Sequence, residues 1–387
     1  MSFSDWKEVR LGDVIIFNPR ESISKNQVAK KIAMEKLKPY TKFIDNFELT
    51  EFKGGTKFKN GDTLLARITP CLENGKTSQV TILENNEVGF GSTEYIVLRE
   101  KISVTDKNFI YYLSISPKFR DIAIQSMVGS SGRQRVQQDV LENTEILIPP
   151  LLEQKAIADT LSCLDDKIEL NNRINKTLEE MAQAIFKSWF ADFEPFRDGE
   201  FEDSELGRIP KGWSVGSLGG IANITSGKRP LRKQGVFSEE IYIPVVGASS
   251  IMAYTTEVLY NERILIIGRV GTHGIIQRFN SPCWASDNTL VIKSAKYEFV
   301  YQVLKNVDFK SMNRGSTQPL ITQTDLKNVT IIIPSNIVLE NFETTISKLM
   351  NIWQENNNQN KILTTIRDSL LPKLMSGEIR VPIEEVQ

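Results

Sequence analysis

One pattern occurs twice in this chain, first as Leu141-Glu142-Asn143-Thr144-Glu145-Ile146-Leu147-Ile148-Pro149 and 185 residues later as Leu326-Lys327-Asn328-Val329-Thr330-Ile331-Ile332-Ile333-Pro334. In each copy the run of apolar residues before the proline predicts a β-strand. After the proline the spacing of apolar residues becomes that of a helix, and prolines are favoured at helix starts. Each copy therefore predicts a strand that leads directly into a long helix.

The two predicted helices carry the same heptad pattern. Apolar residues recur at alternating steps of four and three along both, which is the spacing of a coiled-coil seam. The seam positions are Ile157, Leu161, Leu164, Ile168, Asn171, Asn175, Leu178, Ala182, Ile185 and Trp189 in the first helix, and Phe342, Ile346, Leu349, Trp353, Asn356, Asn360, Leu363, Arg367, Leu370 and Leu374 in the second. A single apolar stripe is more typical of ordinary core packing. Two stripes of equal length with matching central asparagines favour pairing of the helices with each other.

The connection between the helices predicts their orientation. The segment between them starts at the end of the first helix and finishes at the start of the second, so a compact segment brings those two ends together. The helices are then antiparallel, related by an approximate two-fold axis, with Asn171 facing Asn360 and Asn175 facing Asn356. Buried asparagines fix the register of a coiled coil at a cost in stability. We therefore expect these four side chains to set the register of the spacer.

Further echoes indicate that the whole chain is an internal repeat. They pair Trp6–Gly12 with Trp213–Gly219, Asp62–Ile68 with Arg263–Val270, and Gly91–Leu98 with Ala285–Ile292. In the second of these pairs Arg67 matches Arg269. Short β-prone runs separated by glycine, asparagine and serine surround the echoes and are typical of sheet-centred domains. The predicted fold class is α+β, with two sheet-centred α/β domains joined by two long antiparallel helices. The predicted domains are 1–150 and 198–335 for the sheets, and 151–197 and 336–387 for the helical spacers.

Composition limits the chemistry that this chain can perform. Its 387 residues include one histidine, His273, and three scattered cysteines. This excludes metal sites built on several histidines and disfavours Ser-His-Asp or Cys-His centres, so we predict no catalytic residue and no metal site. The cysteine usage, an N-terminus unlike a signal peptide and the lack of an apolar run near ~18 residues predict a cytoplasmic protein without a membrane segment.

The spacer sequence resembles a known family. The stretch Pro149-Pro150-Leu151-Leu152-Glu153-Gln154-Lys155-Ala156-Ile157 is similar to the signature that opens the helical spacer in specificity subunits of type I restriction–modification systems. Four other segments also resemble that family, so the resemblance covers essentially the whole chain: Asp165–Asn172, Leu178–Phe190, Gly315–Ile321 and Leu371–Ile379. The second spacer departs from the signature, because Pro334-Ser335-Asn336 lacks the second proline.

The resemblance implies a non-catalytic subunit that reads DNA. Each sheet domain would be a target-recognition domain for one half of a split, asymmetric sequence in double-stranded DNA, and the coiled coil would act as a ruler. The coiled coil would also dock two modification (methyltransferase) subunits, and restriction subunits would join the complex. S-adenosylmethionine, ATP and Mg are then expected on these partners, and this chain would need no cofactor of its own.

Charge and residue type indicate candidate DNA contacts in both sheet domains. The 47 basic and 48 acidic side chains nearly balance overall, but the sheet domains are net positive and the spacers net negative, as phosphate binding by the sheet domains requires. Arginine fits guanine and glutamine fits adenine in the major groove, while glycine-bearing turns with cations or hydroxyls suit phosphates. The candidates are Lys76, Thr77, Ser92, Thr93, Arg133, Gln134 and Arg135 in the first domain, and Lys228, Arg229, Arg232, Arg269, His273, Arg314 and Gln318 in the second. A solvated polar loop is the alternative interpretation of these segments.

Two other functions fit the sequence less well. An enzyme would need an amino-methylation motif, a dinucleotide-binding glycine loop or a nuclease carboxylate cluster. Only Asp45 and Glu51 with Lys53 faintly resemble the last of these, and the second half has no counterpart. The other alternative is a coiled-coil scaffold without DNA recognition, which would show no polyanion affinity that falls steeply with salt.

Overall fold

The computed structural model describes residues 5–270, 274–312 and 320–382. These residues form two compact units. The first unit comprises Met1–Arg173 and Asn356–Gln387, and the second comprises Ile174–Glu355. Each unit therefore contains one set of sheets and one half of each long helix.

The first unit is built on two four-stranded sheets. One sheet is antiparallel with the order β2-β9-β6-β7, the other has the order β4-β3-β8-β5 with β3 and β8 parallel, and β1 pairs with β10. The strands are β1 (Lys7–Arg10), β2 (Ile15–Phe17), β3 (Val28–Ile32), β4 (Glu48–Glu51), β5 (Thr56–Phe58), β6 (Thr63–Ala66), β7 (Thr77–Gln79), β8 (Gly89–Gly91), β9 (Tyr95–Glu100) and β10 (Glu145–Ile148). The helices are α1 (Leu11–Val14), α2 (Lys107–Ile115), α3 (Pro117–Gln125), α4 (Gln138–Asn143) and the long α5 (Leu151–Phe190), whose second half belongs to the second unit.

The central strands β6 and β9 are buried on both faces. Successive residues of a strand point to opposite sides of the sheet. Leu65 and Ile96 therefore enter a core shared with α2, α3 and α5, whereas Leu64 and Val97 enter a second core shared with β3 and β5. This two-sided burial explains why β6 and the first half of β9 are apolar without alternation.

The second unit has corresponding sheets, one of which has three strands in place of four. An antiparallel sheet has the order β14-β20-β17-β18, a three-stranded sheet has the order β16-β15-β19 with β15 and β19 parallel, and β13 pairs with β21. The strands are β11 (Phe201–Ser204), β12 (Gly207–Pro210), β13 (Ser214–Ser217), β14 (Asn223–Ser226), β15 (Ile243–Val246), β16 (Ile251–Thr255), β17 (Ile264–Gly268), β18 (Ile276–Phe279), β19 (Trp284–Ala285), β20 (Thr289–Lys293) and β21 (Thr330–Ile333). The helices are α6 (Leu218–Ile221), α7 (Tyr297–Lys305), α8 (Gln323–Lys327) and the long α9 (Asn336–Ser376), whose second half belongs to the first unit.

The correspondence between the two units extends to individual strands. The sheet β2-β9-β6-β7 matches β14-β20-β17-β18, the pair β1-β10 matches β13-β21, and the parallel pair β3 and β8 matches β15 and β19. Among the described residues the second unit also has a hairpin, β11-β12, that the first unit lacks. The correspondence confirms the predicted fold class of two sheet-centred α/β domains, related by an internal repeat and joined by long helices.

Helices α5 and α9 are antiparallel. In the first unit Oδ1 of Asp165 lies 2.7 Å from Nη1 of Arg367, and Nδ2 of Asn171 lies 2.8 Å from Oδ1 of Asn360. The residue number therefore rises along α5 while that of its partner on α9 falls. The predicted antiparallel pairing is thus confirmed. In the second unit the helices meet through aromatic rings, with the centroids of Phe190 and Phe342 4.9 Å apart.

A polar layer interrupts the seam within the first unit. The buried Asn171 side chain donates from Nδ2 to Oδ1 of Asn360 and to Oε1 of Gln359, each at 2.8 Å. Asn360 in turn donates to Oδ1 of Asn172 at 2.9 Å. The other expected pair is Asn175 with Asn356. Asn175 belongs to the second unit and Asn356 to the first.

Candidate nucleic-acid interface

Three loops of the first unit meet where β6 ends and β9 begins. The backbone N–H of Arg67 donates to the carbonyl of Glu94 at 3.0 Å, and the backbone N–H of Val136 donates to the carbonyl of Arg67 at 2.8 Å. These bonds join residues 67–69, 92–94 and 133–136, which we call the first loop surface. Most of the first unit's candidate DNA contacts therefore lie on one continuous surface.

The 133–136 loop is fastened to the 67–69 loop by a reciprocal pair of hydrogen bonds. The backbone N–H of Thr69 donates to the carbonyl of Gln134 at 3.0 Å, and the backbone N–H of Gln134 donates to Oγ1 of Thr69 at 3.1 Å. The preceding residue, Arg133, is exposed. Gly132 precedes it with φ +77, a left-handed conformation that glycine adopts without strain. The loop thus presents Arg133 to solvent from an anchored base.

Arg135 is engaged by an acidic neighbour. Its guanidinium donates to Glu94 from Nη2 at 2.7 Å and from Nε at 2.9 Å. These hydrogen bonds hold the pKa of the Glu94 carboxyl below its usual value, and the charge of Arg67 acts in the same direction. The fork of Arg135 is therefore occupied within the protein, and its main role in this conformation is to brace the loop.

The remaining candidates of the first unit differ in accessibility. Thr77 is fully buried in β7, so its hydroxyl does not reach the surface that the sequence pattern suggested. Lys76 is half-buried and donates from Nζ to the carbonyl of Met34 at 3.0 Å. Ser92 accepts a hydrogen bond from the backbone N–H of Glu94 at 3.1 Å, whereas Thr93 is exposed.

The second unit forms a corresponding surface between its own loops. The backbone N–H of Lys228 donates to the carbonyl of Ala285 at 2.9 Å, and that of Arg269 donates to the carbonyl of Asn288 at 3.0 Å. Residues 227–233, 269–270 and 285–288 make up what we call the second loop surface. A side chain at Gly227 would place its Cβ 2.1 Å from the carbonyl oxygen of Ser286, so only glycine permits this close approach.

The 227–233 segment exposes a cluster of cations. Lys228, Arg229, Arg232 and Lys233 are all exposed. Within the part of the chain that the structure describes, none of these four forms an ion pair. The segment thus carries uncompensated positive charge suited to phosphates. Three other candidates, His273, Arg314 and Gln318, lie outside the described residues.

Sequence reasoning did not include two residues that shape the first loop surface. Glu94 neutralises Arg135 from 41 positions away, and local composition gives no sign of such a pairing. Arg67 is central to the surface but stands alone in its segment, with no basic or amide neighbour to attract notice. The signal that could have identified it is its match to Arg269 in the repeat.

The described residues give little support for other kinds of site. No group of three or more histidine, cysteine or acidic side chains within them is arranged to hold a metal ion. None of the helices in the described ranges has the length and apolar character needed to cross a membrane. The feature that recurs in both units is a loop surface containing cations at the same edge of the central sheet.

Comparison with known proteins identifies the family. A family model described as a type I restriction modification DNA specificity domain matches residues 3–180 and 210–366. The chain belongs to this family. The two matched segments correspond to the two copies of the repeat, so each unit contains its own specificity domain.

Relatives of this specificity-domain family match over most of their length. The chain is 32% identical over 300 residues to the type I restriction enzyme MjaIX specificity subunit of Methanocaldococcus jannaschii, covering 70% of this chain and 69% of the relative. It is 26% identical over 464 residues to the HindI specificity subunit of Haemophilus influenzae, covering 97% and 100%. The crystal structure of a type I S subunit from M. genitalium has the same fold, with a TM-score of 0.59 at 15% identity over 96% of both chains.

Proposed function

We propose that this chain is the DNA-recognition subunit of a type I restriction–modification complex. Each unit reads one half of a bipartite, asymmetric site, and the paired helices set the distance between the halves. The chain itself performs no chemistry. Methyl transfer and cleavage belong to partner subunits that bind S-adenosylmethionine, ATP and Mg.

The observation that carries the proposal is the recurrence of one loop surface in two units of the same topology. Arg67 and Arg269 occupy matching positions after β6 and β17, and additional cations lie beside each. Two similar surfaces with different side chains suit the recognition of two different half-sites. Membership of the DNA specificity family supports the same conclusion.

The internal repeat also supports the proposed partners. A chain with two equivalent halves offers two equivalent positions to a single kind of partner, which fits the docking of two modification subunits. The polar layer of Asn171 and Asn360 supports the role of the helices as a ruler, because a slip in register would bury an amide against an apolar residue. A fixed register is what a constant distance between half-sites requires.

Salt-dependent binding tests DNA recognition directly. The chain assembled with its modification subunits should bind its DNA with an affinity that falls steeply as salt rises. Arg229→Ala and Arg232→Ala should each weaken binding to all sequences and reduce the salt slope by roughly one. Lys211→Ala is the matched control, because Lys211 is exposed in the same unit and pairs with Glu200 away from the loop surface.

The scaffold alternative makes the opposite prediction. A coiled-coil scaffold would hold its partners together with no steep salt dependence and no difference between the three variants. An assembled complex whose DNA affinity is independent of salt would therefore contradict the proposed function.

A further inference from the structure

We infer that Arg67 and Arg269 are a repeat-related pair of specificity-determining residues, each reading a guanine edge in one half of the DNA site. The inference rests on the proposed function and extends it to particular side chains. Arg67 is absent from the DNA contacts that the sequence suggests, and the pairing of the two arginines assigns one equivalent reader to each unit.

The two arginines occupy the same place in the two sheets. Arg67 follows β6 and Arg269 follows β17, and both strands are completely buried. Each donates its backbone N–H to the loop before the next central strand, through Glu94 in the first unit and Asn288 in the second. Each accepts at its carbonyl from the segment that precedes a short helix, through Val136 and Ile321 respectively. The strand that precedes each arginine, the acceptor of its backbone N–H and the donor to its carbonyl all support the equivalence.

The two arginines share an uncommon feature at Nε. In each arginine, Nε is buried without a hydrogen-bond partner among the described residues. A buried N–H without a partner is costly and uncommon in folded proteins. The same atom is unpartnered in two equivalent arginines, so neither guanidinium is committed through Nε to a neighbour among the described residues.

Comparison with nearby arginines shows why this pair suits base reading. The guanidinium of Arg135 is already hydrogen-bonded to Glu94. Arg133 is exposed on a glycine-bearing loop, where ordering its side chain on DNA costs conformational entropy. Arg67 and Arg269 are half-buried, directly follow buried strands and have Nε inside the protein, so they lose less side-chain freedom on binding than Arg133 does. A preorganised fork is suited to the O6 and N7 acceptors of guanine in the major groove.

The test uses the complete chain assembled with its modification subunits, on the site determined for the wild-type complex by methylation mapping. Arg67→Lys and Arg269→Lys keep the charge but remove the fork. Each should lose discrimination at one guanine, by roughly 5- to 150-fold. The two affected guanines should lie in different halves of the site, and discrimination at other positions should be unchanged.

Modified DNA tests the same contact by changing the base in place of the arginine. Replacing the affected guanine by 7-deazaguanine removes the N7 acceptor. This replacement should weaken binding of the wild-type complex but have little further effect on the variant that has already lost its fork. Arg10→Lys and Arg208→Lys are the matched controls, since both residues are exposed, lie away from the loop surfaces and should leave discrimination unchanged.

Several outcomes would overturn the inference. A uniform loss of affinity for all sequences would make the arginines phosphate contacts, and unchanged discrimination would make them structural. If both variants lost discrimination in the same half-site, the two arginines would not be equivalent readers of different halves. If thermal melting shows that a lysine variant is unfolded, Arg67→Met and Arg269→Met, which preserve the packing of the side-chain stem, take its place. A wild-type complex without any sequence preference would instead refute the proposed function itself.

Discussion

The two units share a topology but hold their portions of the helix pair by different chemistry. In the first unit a buried ion pair joins the helices, with Arg367 2.7 Å from Asp165, and Tyr112 of α2 donates to the same carboxylate at 2.7 Å. In the second unit aromatic rings from α5, α7 and α9 pack together, among them Phe190, Phe299 and Phe342. Apolar residues of both helices enter the core in each unit, and the buried ion pair adds to them in the first, so the repeat preserves the path of the backbone but not every interaction that fastens it.

The two kinds of helix junction differ in how well they tolerate substitution. A buried ion pair depends on both partners, because either charge alone is left unpaired in the interior. An apolar cluster depends mainly on filled volume, so similar side chains can substitute for one another. We expect the first unit to respond to substitution at its helix junction more sharply than the second.

Breaking the ion pair should have the largest effect. Arg367→Met leaves Asp165 buried without its partner and should lower the free energy of unfolding by about 3–5 kcal/mol. Adding Asp165→Leu should recover part of this loss, because the unpaired carboxylate is removed while the Tyr112 hydroxyl loses its acceptor. Denaturant unfolding measures both, with Arg10→Met as an exposed control. If Arg367→Met lowers the free energy of unfolding no more than Arg10→Met does, the ion pair is not what holds the two helices together in the first unit.

A conservative change in the aromatic cluster should cost less. Phe342→Leu keeps the site apolar and removes only part of the ring volume, so the free energy of unfolding should fall by about 1–2 kcal/mol. The measurement is the same denaturant titration. A loss as large as that of Arg367→Met would remove the distinction between the two junctions.

Making the seam of the first unit apolar should stabilise the protein and weaken its specificity. Replacing Asn171 and Asn360 together by leucine removes the buried Asn171 amide and its half-buried partner and should raise the free energy of unfolding by roughly 1 kcal/mol. In the assembled complex the same change should increase methylation of sites whose half-site spacing is one base pair too long or too short. Stabilisation with unchanged spacing preference would show that these asparagines are not part of the ruler.

The smallest expected effect lies where the long helices cap the short ones. Glu343 accepts from the backbone N–H groups of Glu298 and Phe299 at the start of α7, at 3.1 and 2.8 Å. In the first unit the equivalent N–H groups, those of Asn108 and Phe109, donate to the side chain of Asp106 at 2.8 and 3.0 Å, and Gln154 of α5 accepts from the backbone N–H of Asp106 at 3.1 Å. Burial raises the pKa of the Glu343 carboxyl, although the two backbone donors act against it.

The sign of the pH effect follows from the raised pKa. The folded state binds the proton of Glu343 more tightly than the unfolded state, so this contribution is present at low pH and lost as pH rises through the folded-state pKa. Glu343→Gln should therefore remove this pH dependence. Its amide offers one acceptor oxygen where the carboxylate uses two, so a lost backbone hydrogen bond opposes the gain from removing the charge at pH 7. Denaturant unfolding at a series of pH values checks this, and a variant that keeps the wild-type pH dependence would contradict the account. Gln154→Glu is the reciprocal control and should destabilise, because its Nε2 also donates to the carbonyls of Val104 and Pro149.

Much of the fold could be predicted because the sequence contains repeated segments and a periodic spacing of apolar residues. The duplicated strand-proline-helix segment and the matching heptads predicted both long helices and their antiparallel pairing, which the contact of Asn171 with Asn360 realises. Arg367 is a seam position, but its buried partner Asp165 lies beside the seam, and their pairing was not predicted. A charged residue in a heptad does not reveal which distant side chain compensates it.

The candidate site was predictable only at the level of segments. The loops around Arg133 and Lys228 were identified by composition, but composition does not report burial, and Thr77 proved to be fully buried in a strand. Nor does it report pairing between distant loops, which decides that Arg135 is hydrogen-bonded to Glu94 while Nε of Arg67 has no hydrogen-bond partner among the described residues. The accessible cations follow from tertiary packing, which brings residues 67, 94 and 135 together.

The central claim is that each unit reads its own half of a divided site. The most direct test is to map every methylated base in the genome of a host that carries the complete system with this chain as its specificity subunit. The account predicts one recognition sequence made of two defined parts separated by a fixed number of unspecified bases. A continuous recognition sequence, or methylation without sequence preference, would contradict it.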